Sequence, residues 1–242
     1  TLLMPTYVTV NHELGRLDEA IDAYHGALAL NSDFPVAHNG LGNALKDQGR
    51  LDEAMVAYQR ALSLNPGLAE AHMNLATVLL LRGDFAKGFD RFQWRQQFRN
   101  QQRRDIAKPE WNGGALAGRT IMLHAEGGHG DTLQFVRYAP ILRDRGARVI
   151  VECWSPQERL LRSAKSIDAL VTKGSLLPDF DVHAPMMSLP HLLGTTIDTI
   201  PANIPYLAAE PALVTTWRKR LETKSGLRVG ASWQGNPSNR MD

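Results

Sequence analysis

Gly49-Arg50-Leu51-Asp52-Glu53-Ala54 repeats Gly15-Arg16-Leu17-Asp18-Glu19-Ala20, and a weaker copy, Gly83-Asp84-Phe85-Ala86-Lys87-Gly88, follows at the same step of 34 residues. The match runs past the turn. Tyr24, Tyr58 and Phe92 keep register, as do Ala27 with Ala61, Asn31 with Asn65, Ala37 with Ala71, His38 with His72 and Leu41 with Leu75. Each unit reads as two helices joined by a turn. Gly49 supplies a left-handed turn after one helix, and Asp52 and Glu53 favour the positive end of the next. Small Ala54 and Ala61 let the helices approach, Tyr58 fills the space between neighbouring units, and Asn65-Pro66 ends the second helix. A single such hairpin cannot bury its apolar face, so the units must stack.

The spacing and these residues resemble tetratricopeptide (TPR) repeats, most clearly over residues 35–68, also over 15–34 and 69–92, and poorly over 1–14, where Pro5 interrupts the pattern. The resemblance implies a concave groove offered to a peptide or a partner domain. The other reading of so short an array is a structural cap on the domain that follows. His38 and His72 recur in register, which packing explains without a metal.

Composition narrows the rest. Hydrophobic residues make up 43% and charged residues 21%, a globular mix that argues against wholesale disorder. Net charge is +2, so nucleic acid is not an expected partner. Cys153 is the one cysteine, which excludes an intrachain disulfide and a multi-cysteine zinc site. Apolar runs such as Val78 to Leu81 are too short to span a membrane. Residues 1–15 lack a signal-peptide pattern, which predicts a cytoplasmic protein. The small net charge conceals a segmentation: residues 1–90 carry 6 basic and 11 acidic groups, 91–120 carry 7 and 2, and 121–242 carry 14 and 12. Within the basic stretch, Arg91, Arg95, Arg99 and Arg103 follow at intervals of four, one face of a continuous helix, with Arg104 beside them. That face reads as solvated or as a complement to the acidic repeats, with an anion site as the alternative. Pro109-Glu110-Trp111-Asn112-Gly113-Gly114 has turn chemistry and reads as a linker anchored by Trp111.

The remainder alternates strand and helix patterns, which predicts a parallel, doubly wound sheet. Strands are expected at Thr120–His124, 147–153, 169–172, 180–184 and 227–233. Helices are expected at 132–145, with a bend at Pro140, and at 211–222. The loop Ala125-Glu126-Gly127-Gly128-His129-Gly130-Asp131 lies at the C-terminal end of the first strand, where such sheets bind ligands. It has neither the dinucleotide nor the P-loop fingerprint. Glycines let a backbone approach a ligand closely. Asp131 disfavours an anion there and suits a hydroxyl, from which a carboxylate can take a proton. Asp131 with Gln134 also has capping-box spacing, so a helix cap is the competing reading. His183 and Ser188 lie near a strand end without the third member of a triad.

Trp111-Asn-Gly-Gly, Gly118-Arg119-Thr120-Ile121, Glu126-Gly-Gly-His-Gly-Asp131-Thr-Leu-Gln-Phe-Val-Arg137-Tyr138, Leu177-Pro178-Asp179-Phe180-Asp181, Ser188-Leu189-Pro190, Ile204-Pro205-Tyr206-Leu207 and Val229-Gly230-Ala231-Ser232-Trp233-Gln234-Gly235-Asn236-Pro237 together resemble bacterial TPR-linked glycosyltransferases of the family-nine, heptosyltransferase-like superfamily. The resemblance covers about 105–242. It departs from the family's loop at Gly127 and His129. It implies a GT-B enzyme with Asp131 as base for an inverting transfer. Glu126, Gly128, His129, Gly130 and Arg137 would hold the acceptor, and Trp233, Gly235 and Asn236 the donor side. It implies no metal and no cofactor; the nucleotide sugar is the donor substrate, and a glycan or protein the acceptor.

The expected organisation is therefore α plus α/β. Residues 1–102 form TPR-like repeats and 103–119 a basic linker. Residues 120–225 form a Rossmann-like acceptor-side domain, and 226–242 begin a donor domain that is cut short. On that reading Thr1 and Asp242 are fragment boundaries and the fragment alone transfers no sugar. The alternative is a TPR scaffold whose α/β part is a non-catalytic platform.

Overall fold

The computed structural model describes residues 16–98 and 106–222. The helical part comprises α1 (Leu17–Leu30), α2 (Pro35–Asp47), α3 (Leu51–Leu64), α4 (Ala69–Leu81), α5 (Phe85–Phe92) and the short α6 (Arg95–Phe98). The expected helix for residues 1–14 lies outside the described residues. Gly49 and Gly83 take φ of +78° and +81°, the left-handed turns that fold α2 onto α3 and α4 onto α5. The repeated small residues meet the repeated rings: a Cβ on Gly40 or Gly42 would lie 2.3 Å from Tyr24 or 2.5 Å from Tyr58. Tyr58 is wholly buried and its hydroxyl donates to Asn43 at 2.8 Å. Burial pushes its phenol pKa up. The in-register histidines do the same work twice, His38 Nε2 bonding Ser32 O and His72 Nε2 bonding Pro66 O, each at 2.9 Å.

Among the described residues the basic helix face expected from Arg91 onward is interrupted after Phe92. The helix stops at Phe92, because Gln93 donates its side-chain amide back to Phe89 O and Trp94 swings out to stack on His72. Arg95 begins a new turn and is buried rather than solvated. Arg99, Arg103 and Arg104 lie outside the described residues.

The second part is built on four parallel strands, β1 (Thr120–His124), β2 (Arg148–Cys153), β3 (Ala169–Thr172) and β4 (Val182–Pro185), in the order β3-β2-β1-β4. The expected strand at 227–233 is outside the described residues. Between the strands run α7 (His129–Phe135), a 3₁₀ turn (Val136–Tyr138), α8 (Ala139–Asp144), α9 (Glu158–Leu161) and, after β4, α10 (Leu189–Leu192). The expected 132–145 helix is thus three pieces, with Pro140 opening the third rather than bending one helix. An exposed α11 (Pro211–Glu222) follows.

The described helices α7 to α10 cover one sheet face, burying Ile121, Leu123, Val149 and Val151 with Leu142, Leu161 and Leu189. The opposite face, Met122 and Ile150, is covered by Phe180, Ile106 and Leu177 from extended segments. Chirality explains the asymmetry. Right-handed crossovers β1→β2 and β2→β3 advance in one direction and place their helices on one side, while β3→β4 returns the other way and must cross the opposite face. That return is a loop, so among the described residues extended segments, not helices, cover the second face. Trp111 is buried as the expected anchor, and its backbone N–H donates to His183 O at 2.7 Å while His183 N–H donates to Pro109 O. This short pairing covers the outer edge of β4.

Candidate functional site

Two features carry candidate chemistry. The first is an open groove of about 800 Å³ on the repeats. In each hairpin the first helix packs against its neighbour's first helix, with Asn74 Nδ2 of α4 donating to Asn39 Oδ1 of α2 at 3.0 Å. The second helices, α3 and α5, are spread apart, and α4 forms the floor between them. Leu75 and Leu79 line that floor, Met55 and Leu62 the α3 wall, and Lys87 and Arg91 the α5 wall.

His72 closes the groove's end. Its ring stacks on Trp94 at 3.8 Å and 9°. Arg91 Nη1 donates to Nδ1 at 2.9 Å, so the proton sits on Nε2, facing Pro66 O. Burial, reinforced by the Arg91 charge against the opposing Pro66 bond, lowers the imidazole pKa and keeps the ring neutral.

The second feature is the glycine-rich loop after β1, at the place where the strand order reverses between β1 and β4. Gly127 takes φ +61°, and a Cβ there would lie 2.1 Å from Asp131 Oδ2. That carboxylate instead accepts the Gly128 N–H at 2.7 Å. Asp131 is therefore at the third position of a helix that starts at His129, reaching back to its N-cap, and is not itself the cap that its spacing with Gln134 suggested. His129 O accepts from Gln157 Nε2 at 2.6 Å, and the His129 ring lies 5.9 Å from Trp154. Gly127 to Gly130 are exposed.

The other expected acceptor residues do not converge on the loop. Glu126 is buried, and Arg95 Nη2 donates to its Oε2 at 2.7 Å. Arg137 donates to the Tyr206 hydroxyl at 3.1 Å and lies 4.8 Å above its ring, while that hydroxyl donates to Leu133 O. Trp233, Gly235 and Asn236 lie outside the described residues. Ser188 is bound to the junction: its Oγ accepts from Arg95 Nη2 at 2.7 Å and donates to Gln93 Oε1 at 2.8 Å. Sequence reasoning missed this set of buried Arg95, Glu126 and Ser188 with half-buried Gln93. Its one signal was the broken spacing of Phe92-Gln93-Trp94-Arg95. It also missed the His124–His183 pair, whose nitrogens lie 3.3 Å apart across β1 and β4. Among the described residues no group of three or more metal-ligating side chains gathers, and no helix is long and apolar enough to cross a membrane.

Comparison with known proteins agrees on the first part. Residues 10–49 and 42–83 match the family described as TPR repeat. The N-terminal part of the chain carries TPR repeats. No curated protein matches the chain. Among solved structures, MamA is similar at 24% identity over 39% of this chain, with a TM-score of 0.36. The chain spans 56% of that structure's length. The first TPR domain of Spaghetti (RPAP3), solved with an HSP90 peptide, is similar at 16% identity over 42% of this chain and 80% of its own, with a TM-score of 0.39. The Yersinia enterocolitica type III secretion chaperone SycD, solved with a peptide of the translocator YopD, is similar at 16% identity over 41% of this chain and 76% of its own, with a TM-score of 0.39.

Proposed function

We propose that the chain is a protein-interaction module in which TPR repeats present a peptide-binding groove and the α/β part serves as the platform that holds them. The observation that carries this is the groove between α3 and α5, apolar on its floor and charged along α5. It offers one side chain after another to a partner segment without an enclosed pocket for a small molecule. An amphipathic helix or an extended segment fits such a trough, with apolar anchors over Leu75 and Leu79. The test is a displayed peptide library selected on the chain, with affinities measured by calorimetry. Leu62→Glu, on the half-buried wall, should weaken selected peptides at least tenfold while the circular dichroism spectrum is kept. Equal binding by the variant, or no selectable peptide, refutes the reading.

A second reading rests on a different observation, the glycine-rich loop and its carboxylate at the strand-order reversal. On it, the α/β part is the Rossmann-like, acceptor-side half of a GT-B glycosyltransferase, and Asp131 is the base. Gly128, His129 and Gly130 contact the acceptor, while Glu126 and Arg137 are engaged by Arg95 and Tyr206 instead. Trp233, Gly235 and Asn236 face a nucleotide-sugar donor. A thermal-shift panel of nucleotide sugars on the full-length enzyme, donor domain included, tests it. A hit whose turnover falls on Asp131→Asn, with stability held, supports the enzyme. No shift with any donor supports the platform.

A further inference from the structure

The groove and the glycine-rich loop are joined by side-chain contacts linked through short stretches of backbone at 93–95 and 126–128. His72 lines the groove and stacks on Trp94. Trp94 is flanked in the chain by Gln93 and Arg95, and both reach into the α/β part. Gln93 Oε1 accepts from Ser188 at 2.8 Å, and Arg95 Nη2 donates to both Ser188 and Glu126 at 2.7 Å. Ser188 follows β4 and Glu126 follows β1, so one guanidinium ties the two loops that border the strand-order reversal. Glu126 is followed by Gly127, whose bare Cα fits against the Asp131 carboxylate that holds the Gly128 N–H. Arg95, Glu126 and Ser188 are 5%, 5% and 2% exposed. Beyond Glu126 the loop residues Gly127 to Gly130 are exposed, with His129 held by Gln157 on the far side.

We propose that Arg95 is a positioning residue that sets the conformation of the loop Gly127 to Gly130, and that the state of the groove wall at His72 reaches the loop through Trp94 and Arg95. A close-packed interior transmits a displacement, because a buried ion pair has no solvent shell to absorb it. The consequence rests on the groove being the partner site, since a partner that shifts His72 then re-sets the loop. The coupling itself needs no partner, so its test stands or falls separately from the peptide selection.

Hydrogen–deuterium exchange on the 242-residue chain reads it directly. Arg95→Met should speed exchange at the Gly128 amide, which Asp131 holds, at least tenfold, while the amides of α3 keep their rates. Arg95→Lys, which retains the charge, should fall between. Because Arg95→Met strands Glu126 inside the protein, Arg95→Met/Glu126→Gln is measured beside it. The double variant should recover thermal stability without recovering the loop's protection. Trp94→Ala, which leaves the ion pair in place, should raise loop exchange severalfold, and Leu62→Ala, off this line, should not. A double variant with parental loop exchange, or an equal rise in every segment, overturns the positioning role. Parental loop exchange in Trp94→Ala overturns the link to the groove.

Discussion

At residue 127 two independent constraints demand glycine. The backbone takes φ +61°, where a side chain is strained, and a Cβ would meet the Asp131 carboxylate. Gly127→Ala should therefore cost about 1–3 kcal/mol, read as a lower urea midpoint with an unchanged slope. His72 makes a second prediction. Its pKa is lowered on folding, so the unfolded chain binds the proton more readily. The stability it confers is complete above the unfolded value of about 6.5 and is lost as pH falls below it. Protonation would set a new N–H on Nδ1 against the Arg91 guanidinium. Melting temperature measured from pH 7.5 to 5.0 should fall more steeply for the parent than for His72→Gln. Equal slopes would remove His72 as the cause.

The elements themselves were legible to different degrees. The repeat period set α2 to α5, because small residues and rings must meet at one place in every unit. Gly42 shows how tight that meeting is. Gly42→Ala places a methyl 2.5 Å from the Tyr58 ring, and overpacking of this kind costs about 1–3 kcal/mol. The expected result is a lower melting temperature. Strands β1 to β4 were found at the expected stretches because buried parallel strands read as short apolar runs. Helix ends were not. The spacing of Asp131 with Gln134 offers a cap as one reading, whereas Asp131 reaches back to the cap residue Gly128; Pro140, expected to bend one helix, opens a separate one. Both differences arise at short, capped or 3₁₀ segments, where one side-chain bond shifts the start of a helix by several residues. The basic face was interrupted for the same reason: a Gln93 bond to Phe89 O ended the helix on which the four-residue spacing depended.

In the whole molecule, the array and the sheet meet through Gln93, Arg95, Glu126 and Ser188, with α10 packed on α5. A buried ion pair across this junction makes separate melting of the two parts costly, since each would expose or strand a charge. Calorimetry of the chain should show one transition, and Arg95→Met should broaden it or divide it in two. One sharp transition in both proteins would place the junction outside the cooperative unit. The amino-acid sequence by itself determined the repeats, the parallel-strand pattern and the glycine-rich loop, because each is written in local spacing: 34 residues for a helical hairpin, a short apolar run for a buried strand, glycines for a close turn. Only the tertiary structure decided what Arg95, Glu126 and Ser188 do. Arg95 looked like one of a row of surface charges and Glu126 like a loop residue facing a ligand. Their pairing joins residues 31 and 93 positions apart, through a crossing of the array with the sheet that no local pattern encodes. Burial turned a solvated charge into the contact between the two parts.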